Sequence, residues 1–125
     1  MADVADHVAR LSRTSFFADA SPERLTVVAN ASRQRHLVRG DVLFREGDPP
    51  DALYLVIGGR IAIAMSNPID RRESVVALME EDDLFGELGL LDEGPRSAMA
   101  RALEASDVLE VPFEPVRELF EQDPR

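Results

Sequence analysis

The spacing of apolar residues changes twice along this chain of 125 residues, and those changes limit what it can fold into. Up to about Ser32 the spacing is helical. From there to about Val111, apolar residues alternate with others in short runs that glycines interrupt. Such alternation is typical of strands with one buried face, and glycines between the runs mark turns. After Pro112 helical spacing returns, so we predict a mainly β fold with flanking helices.

Three helices are predicted outside the strands. The second begins at Ser21-Pro22, because serine caps a helix and proline suits its first position. The last begins after Pro112 and ends at Asp123-Pro124. The apolar positions of the three helices are Val4, Val8 and Leu11, then Leu25, Val28 and Ala29, then Phe113, Val116 and Phe120.

The alternating runs predict an antiparallel barrel. Runs at 53–57 and 61–65 flank Gly58-Gly59, and glycine adopts the positive φ of tight turns, so a β-hairpin is predicted there. A further strand is predicted at 74–79. We expect one domain over residues 1–125, with a helical segment at 1–31, a β-roll or jelly-roll (double-stranded β-helix) barrel at 32–112 and a short helix at 113–123.

Composition excludes several classes of function. The chain has no cysteine, which removes disulfide scaffolds, thiolate metal sites and cysteine nucleophiles. Its 14 basic residues are all arginine, against 24 acidic residues, for a net charge of −10. An acidic domain is a poor candidate for direct binding to a nucleic-acid backbone. The two histidines, His7 and His36, fall in a predicted helix and a predicted strand, so no metal site is expected.

Catalytic and targeting motifs are also absent from the sequence. No nucleophile elbow, zinc-protease or dinucleotide-binding motif occurs, so we do not expect an enzyme. No apolar run is long enough to span a membrane, and no export signal begins the chain. We therefore expect a cytoplasmic domain with no membrane partner.

One segment, residues 85–98, fits neither spacing. It predicts a single helical turn from Glu87 that opens at Gly86, where free N–H groups favour an anion. Gly86 and Gly89 lack a Cβ, which would let a ligand approach the backbone. Arg96 can hold phosphate oxygens with two hydrogen bonds, and a carboxylate at Glu87 suits a ribose hydroxyl. The segment therefore predicts a site for a sugar phosphate.

This segment resembles the phosphate-binding cassette of cyclic-nucleotide-binding domains, the family of bacterial catabolite activator proteins and of protein kinase A regulatory subunits. The matching residues are Gly86-Glu87-Leu88-Gly89-Leu90-Leu91 and Pro95-Arg96-Ser97-Ala98. The spacing from Gly86 to Arg96 matches without insertion. Residues 16–25 and the pattern from Gly40 to Gly59 are similar to earlier parts of the family, so the resemblance covers nearly the whole chain.

The resemblance implies a role for each cassette residue. Arg96 would neutralise the cyclic phosphate and Glu87 would hold the ribose 2′-hydroxyl. The backbone N–H groups of Gly86, Leu88 and Ala98 and the hydroxyl of Ser97 would complete the contacts. One departure is Met99, where eukaryotic members often have threonine or serine, and this affects the expected base preference. The apolar residues expected to line the pocket are Ile63, Val76 and Met79.

The resemblance also implies a function. The chain would be the sensor domain of a bacterial Crp/Fnr-type transcription regulator, binding cAMP in preference to cGMP and needing no other cofactor. DNA would be bound only through an effector domain outside this chain, which would follow a long helix, in a homodimeric full-length protein. Two alternatives remain: a domain that regulates a fused enzyme or transporter, or an interaction barrel without ligand. A purely structural interpretation of the cassette also remains, in which Glu87 and Arg96 simply pair with each other across a turn.

Overall fold

Helices and strands follow the predicted order. The computed structural model describes residues 3–122, so Asp123 and Pro124, predicted to end the last helix, lie outside it. The helices are α1 (Val4–Ser12), α2 (Pro22–Ala31), α3 (Leu88–Asp92) and α4 (Phe113–Gln122), with a 3₁₀ turn at Ser15–Phe17. The strands are β1 (Arg33–Leu37), β2 (Val42–Phe44), β3 (Ala52–Gly58), β4 (Ile61–Ser66), β5 (Glu73–Met79), β6 (Leu84–Phe85), β7 (Met99–Ala102) and β8 (Ser106–Pro112).

The strands form two antiparallel sheets of four strands, in the orders β1-β8-β3-β6 and β2-β7-β4-β5. The predicted fold class is therefore confirmed, but the predicted pairing of the strands on either side of Gly58-Gly59 is wrong. β3 and β4 lie in different sheets, so no hairpin spans Gly58-Gly59. The hairpin partner of β4 is β5, and the turn between them is closed by a 2.8 Å hydrogen bond from the Arg71 N–H to the Asn67 carbonyl.

The chain changes sheets at Gly59 because that residue packs directly against β8. Gly59 has a φ of +92°, and a Cβ built on it would lie 2.2 Å from Ser106 Oγ. The same hydroxyl oxygen accepts a 3.0 Å hydrogen bond from the Arg60 N–H. The glycine is thus required by a close approach between strands, a role that local sequence does not distinguish from a hairpin turn.

The sheet β1-β8-β3-β6 has an apolar cluster packed against each of its two faces. On β3, Leu53 and Leu55 face the helices, whereas Tyr54 and Val56 face the space between the sheets. All four are at most 4% exposed. A strand that is buried on both faces has an unbroken apolar sequence, which is what β3 has.

The helices pack on the outer face of that sheet, and side-chain caps mark the starts of α1 and α2. Ser21 accepts a 3.3 Å hydrogen bond from the Arg24 N–H, as predicted for α2. In α4, Leu119 is buried in the place predicted for Phe120, which is 37% exposed and packs edge-on against Phe16. Within residues 3–122, no helix combines the length and apolarity that crossing a bilayer requires.

Candidate ligand-binding site

A cavity of about 250 Å³ lies between the cassette and the barrel. Residues 86–89 and 94–98 form one side of it. The cavity is therefore built mainly by the segment that sequence analysis singled out. The other side is apolar and consists of Phe44, Ile63, Met79, Leu84 and Phe85.

The cassette backbone is shaped by two residues with positive φ. Gly86 (φ +84°) begins it, and Glu93 (φ +57°) ends α3 with a hydrogen bond from its N–H to the Gly89 carbonyl. A Cβ on Gly86 would lie 3.1 Å from Arg96 Nη1. Gly86 therefore serves both the turn and the approach of the arginine.

Gly89 has a different role from the one expected. A Cβ at this position would lie 2.5 Å from Pro50 Cβ and 3.4 Å from Phe113 Cε2. The missing side chain therefore lets α3 pack against the loop before β3 and against the start of α4. The space is taken by protein, which leaves Gly86 as the glycine next to the buried arginine.

Arg96 is the central polar residue of the site. It is only 8% exposed. Its Nη1 donates a 2.9 Å hydrogen bond to the Gly86 carbonyl, and its Nη2 donates a 2.6 Å hydrogen bond to the Ala52 carbonyl. Its backbone is fixed as well, by hydrogen bonds with Gly47 and Asp48. Two guanidinium nitrogens are thus held by backbone carbonyls, one of which, that of Ala52, lies far upstream in sequence.

Two features leave Arg96 open to an anionic ligand. Within residues 3–122 its buried Nε has no hydrogen-bond partner, and no carboxylate lies within salt-bridge distance. Burial lowers the pKa of Arg96, and the nearby Tyr54, Asp51 and Asp48 act in the opposite direction. A buried cation with an unsatisfied donor is costly, and a ligand oxygen would relieve that cost.

Glu87 does not pair with Arg96. It is half-buried, precedes the first residue of α3 and lines the same cavity. Among the described residues, no hydrogen bond or ion pair engages its carboxylate. The ion pair of the purely structural interpretation is therefore absent, and both charged side chains line the cavity. The interaction barrel without ligand does not depend on that pair.

The structure brings most of the predicted site residues together. Ile63 and Met79 line the cavity with all six cassette residues, but Val76 does not. Val76 is 56% exposed and lies where a register irregularity shifts β5 against β4. Met99 is also elsewhere, because it lines a separate polar cavity beside β7. The cavity residues that sequence analysis missed include Phe44 and Leu84, which carry no local signal of a site.

Tyr54 lies behind the cavity wall. Its ring stacks on Phe85 with 5.5 Å between ring centroids, and its hydroxyl lies 3.5 Å from Glu110 Oε1. Burial, with a smaller contribution from the Glu110 carboxylate, raises the pKa of Tyr54 to about 12.

Titration of Tyr54 can be followed directly, because the chain has one tyrosine and no tryptophan. We expect tyrosinate absorbance to rise with a midpoint of about 12 in the folded protein, against about 10 in urea. Since the folded pKa is the higher one, the associated stability is complete below pH of about 10 and is lost as the pH rises toward about 12. A midpoint near 10 in protein with native circular dichroism would contradict this placement.

Comparison with known proteins gives consistent matches. A model of the cyclic nucleotide-binding domain matches residues 34–123. A CRP-like cAMP-activated global transcriptional regulator of Mycobacterium tuberculosis is 33% identical over 93 residues, covering 74% of this chain and 41% of that protein. This chain therefore spans about two-fifths of the length of that relative.

Solved structures share the fold. The N-terminal domain of a transcriptional regulator from Streptomyces coelicolor A3(2) is similar with a TM-score of 0.78 and 34% identity, covering 92% of this chain and 81% of that one. The regulatory domain of Toxoplasma gondii PKA, solved with cAMP, has a TM-score of 0.85 and 23% identity, covering 94% of this chain and 45% of that one. At that identity the second likeness concerns the fold alone.

Proposed function

This chain belongs to the cyclic nucleotide-binding domain family, and we propose that its cavity binds a cyclic nucleotide, with cAMP preferred over cGMP. The domain acts as the sensor of a bacterial Crp/Fnr-type transcription regulator in the cytoplasm and carries out no reaction itself. DNA is bound by an effector domain outside residues 1–125 of a homodimeric protein. The ligand contacts are made by Gly86, Glu87, Leu88, Arg96, Ser97 and Ala98.

The observation that carries this proposal is the buried Arg96, whose guanidinium has no carboxylate partner and one free nitrogen among residues 3–122. Of the described residues that line the cavity, Arg96 is the only cation, and Glu87 and Asp92 are the acids. A cyclic phosphodiester carries one negative charge, which matches one guanidinium, whereas a phosphate monoester carries about −1.5 to −2. The nearby acids therefore favour the cyclic form. The Arg96 Nε and the free N–H groups at the start of α3 are donors suited to phosphate oxygens.

The ribose and the base of a nucleotide also find suitable partners in the cavity. The ribose 2′-hydroxyl donates to Glu87, whose carboxylate no other described residue engages. The base lies against the apolar side chains of Ile63 and Met79, which line the cavity opposite the cassette. The preference for cAMP is supported by the relative in M. tuberculosis, which is named as cAMP-activated.

Isothermal titration with cAMP, cGMP and AMP tests the proposal. We expect cAMP to bind most tightly and AMP to bind weakly, because AMP brings additional negative charge beside Glu87 and Asp92. A thermal melt with each nucleotide is the companion measurement. Absence of heat with all three, together with an unchanged melting temperature, would support the barrel without ligand.

The sugar contact is tested in the same titration. Glu87→Gln keeps a hydrogen-bond acceptor but removes the charge, so we expect about a tenfold loss of affinity for cAMP. The parent protein should discriminate against 2′-deoxy-cAMP, and the variant should lose most of that discrimination. Equal discrimination by both proteins would remove Glu87 from the sugar site.

A further inference from the structure

Phe44 contacts the guanidinium of Arg96 from the barrel side. The Arg96 Cζ lies 4.1 Å from the centroid of the Phe44 ring, within the range of a cation–π interaction. Both side chains are buried, with 9% of Phe44 and 8% of Arg96 exposed. The next aromatic ring, that of Phe113, is farther away, at 5.8 Å.

Phe44 is itself held in place. Its ring packs against Tyr54 and Phe85 with centroid distances of 5.8 and 6.3 Å. Its backbone pairs with Ala100 of β7, beyond the end of the cassette. The ring therefore belongs to the rigid barrel, whereas Arg96 belongs to the cassette.

The hydrogen bonds of the Arg96 guanidinium do not compensate its charge, and the Phe44 ring can do so in part. Two carbonyl oxygens accept from Nη1 and Nη2, and no carboxylate of the described residues compensates the charge. The aromatic face supplies part of that compensation and limits the rotation of the side chain. A side chain that is already positioned does not have to be ordered when a ligand binds, which favours affinity.

We propose that Phe44 is a positioning residue, whose ring holds Arg96 in its binding position before an anionic ligand arrives. This inference rests on the proposed function for its effect on affinity. The effect of the Phe44 ring on the mobility of Arg96 does not require a ligand. This inference and the proposed function can therefore fail separately.

The first test needs no nucleotide. The ¹⁵N relaxation of Arg96 Nε, assigned by the loss of its resonance in Arg96→Gln, measures how far the side chain moves. Because the Phe44 centroid lies 4.1 Å from Arg96 Cζ, we expect the Nε order parameter to fall in Phe44→Leu and to be retained in Phe44→Tyr. An unchanged order parameter in Phe44→Leu overturns the proposal, whether or not the parent protein binds a nucleotide.

The second test is a double-mutant cycle measured by titration with cAMP. Phe44→Leu should weaken binding about tenfold in the parent and hardly at all in Arg96→Gln, because the ring acts through the arginine. Equal losses in both backgrounds would mean that Phe44 only supports the barrel, and would overturn the proposal. Phe17→Leu is the matched control, since Phe17 is 1% exposed in the other apolar cluster and should lower stability without changing affinity. If Phe44→Leu does not fold, Phe44→Met replaces it in both tests.

Discussion

Replacing Arg96 with alanine is expected to weaken cAMP binding by about 2–5 kcal/mol, because a buried phosphate then loses its only charged partner. The substitution also removes donors from the Gly86 and Ala52 carbonyls. Some loss of stability is therefore expected along with the loss of affinity. Titration calorimetry below the melting temperature of the variant measures the affinity alone.

A second arginine provides the control for the Arg96 prediction. Arg101 is 31% exposed at its side chain, lines the separate polar cavity and forms an ion pair with Glu73. Arg101→Ala changes the net charge by the same amount and should leave affinity for cAMP within about twofold of the parent, because Arg101 lines a different cavity. Equal affinities of Arg96→Ala and the parent would overturn the role assigned to Arg96.

Replacing Gly59 with alanine is expected to destabilise the fold by about 3 kcal/mol, through strain at positive φ and overlap with β8. The new Cβ would meet the backbone Cα of Ser106 at 2.6 Å as well as its hydroxyl oxygen at 2.2 Å. A backbone atom in a central strand cannot move aside as a flexible side chain can. Urea denaturation monitored by circular dichroism measures the loss.

Two other glycines serve as controls that separate the strain of positive φ from the overlap with β8. Gly40 has the same φ of +92°, and no atom of the described residues lies within 4 Å of its Cβ position, so Gly40→Ala measures strain alone, about 1 kcal/mol. Gly58 has no positive φ and likewise no neighbour within 4 Å in the described part of the chain, so Gly58→Ala should change stability by less than about 0.5 kcal/mol. If Gly59→Ala were no worse than Gly40→Ala, the close packing against β8 would not matter.

The parts of this fold that sequence predicted are those with local causes. Ser21 caps the helix that begins at the next residue, and Leu11 lies about two helical turns after Val4, on the same face. The cassette also is one continuous segment, so its glycines, carboxylate and arginine could be recognised together. For such features, the interacting residues are close enough in sequence to be read as one pattern.

The errors came from contacts between distant residues. Gly59 looked like a hairpin glycine because Ser106, its reason for being glycine, lies far along the chain. Gly89 does line the cavity, but it must also be glycine because of Pro50, which belongs to another loop and gives no signal near Gly89 in sequence. The same applies to the Ala52 carbonyl that accepts from Arg96 across 44 positions of sequence. Such contacts depend on topology, which spacing alone does not determine.

β8 is the common partner of β1 and β3, and this has a consequence for how the protein is made. Arg33 meets Glu110 across 77 positions, so β1 emerges from the ribosome long before its partner exists. Nearly the whole barrel must be synthesised before the first sheet can close, which favours refolding on the order of milliseconds to seconds. A nascent chain released before Ser106 would expose two unpaired strand edges, and we expect it to aggregate.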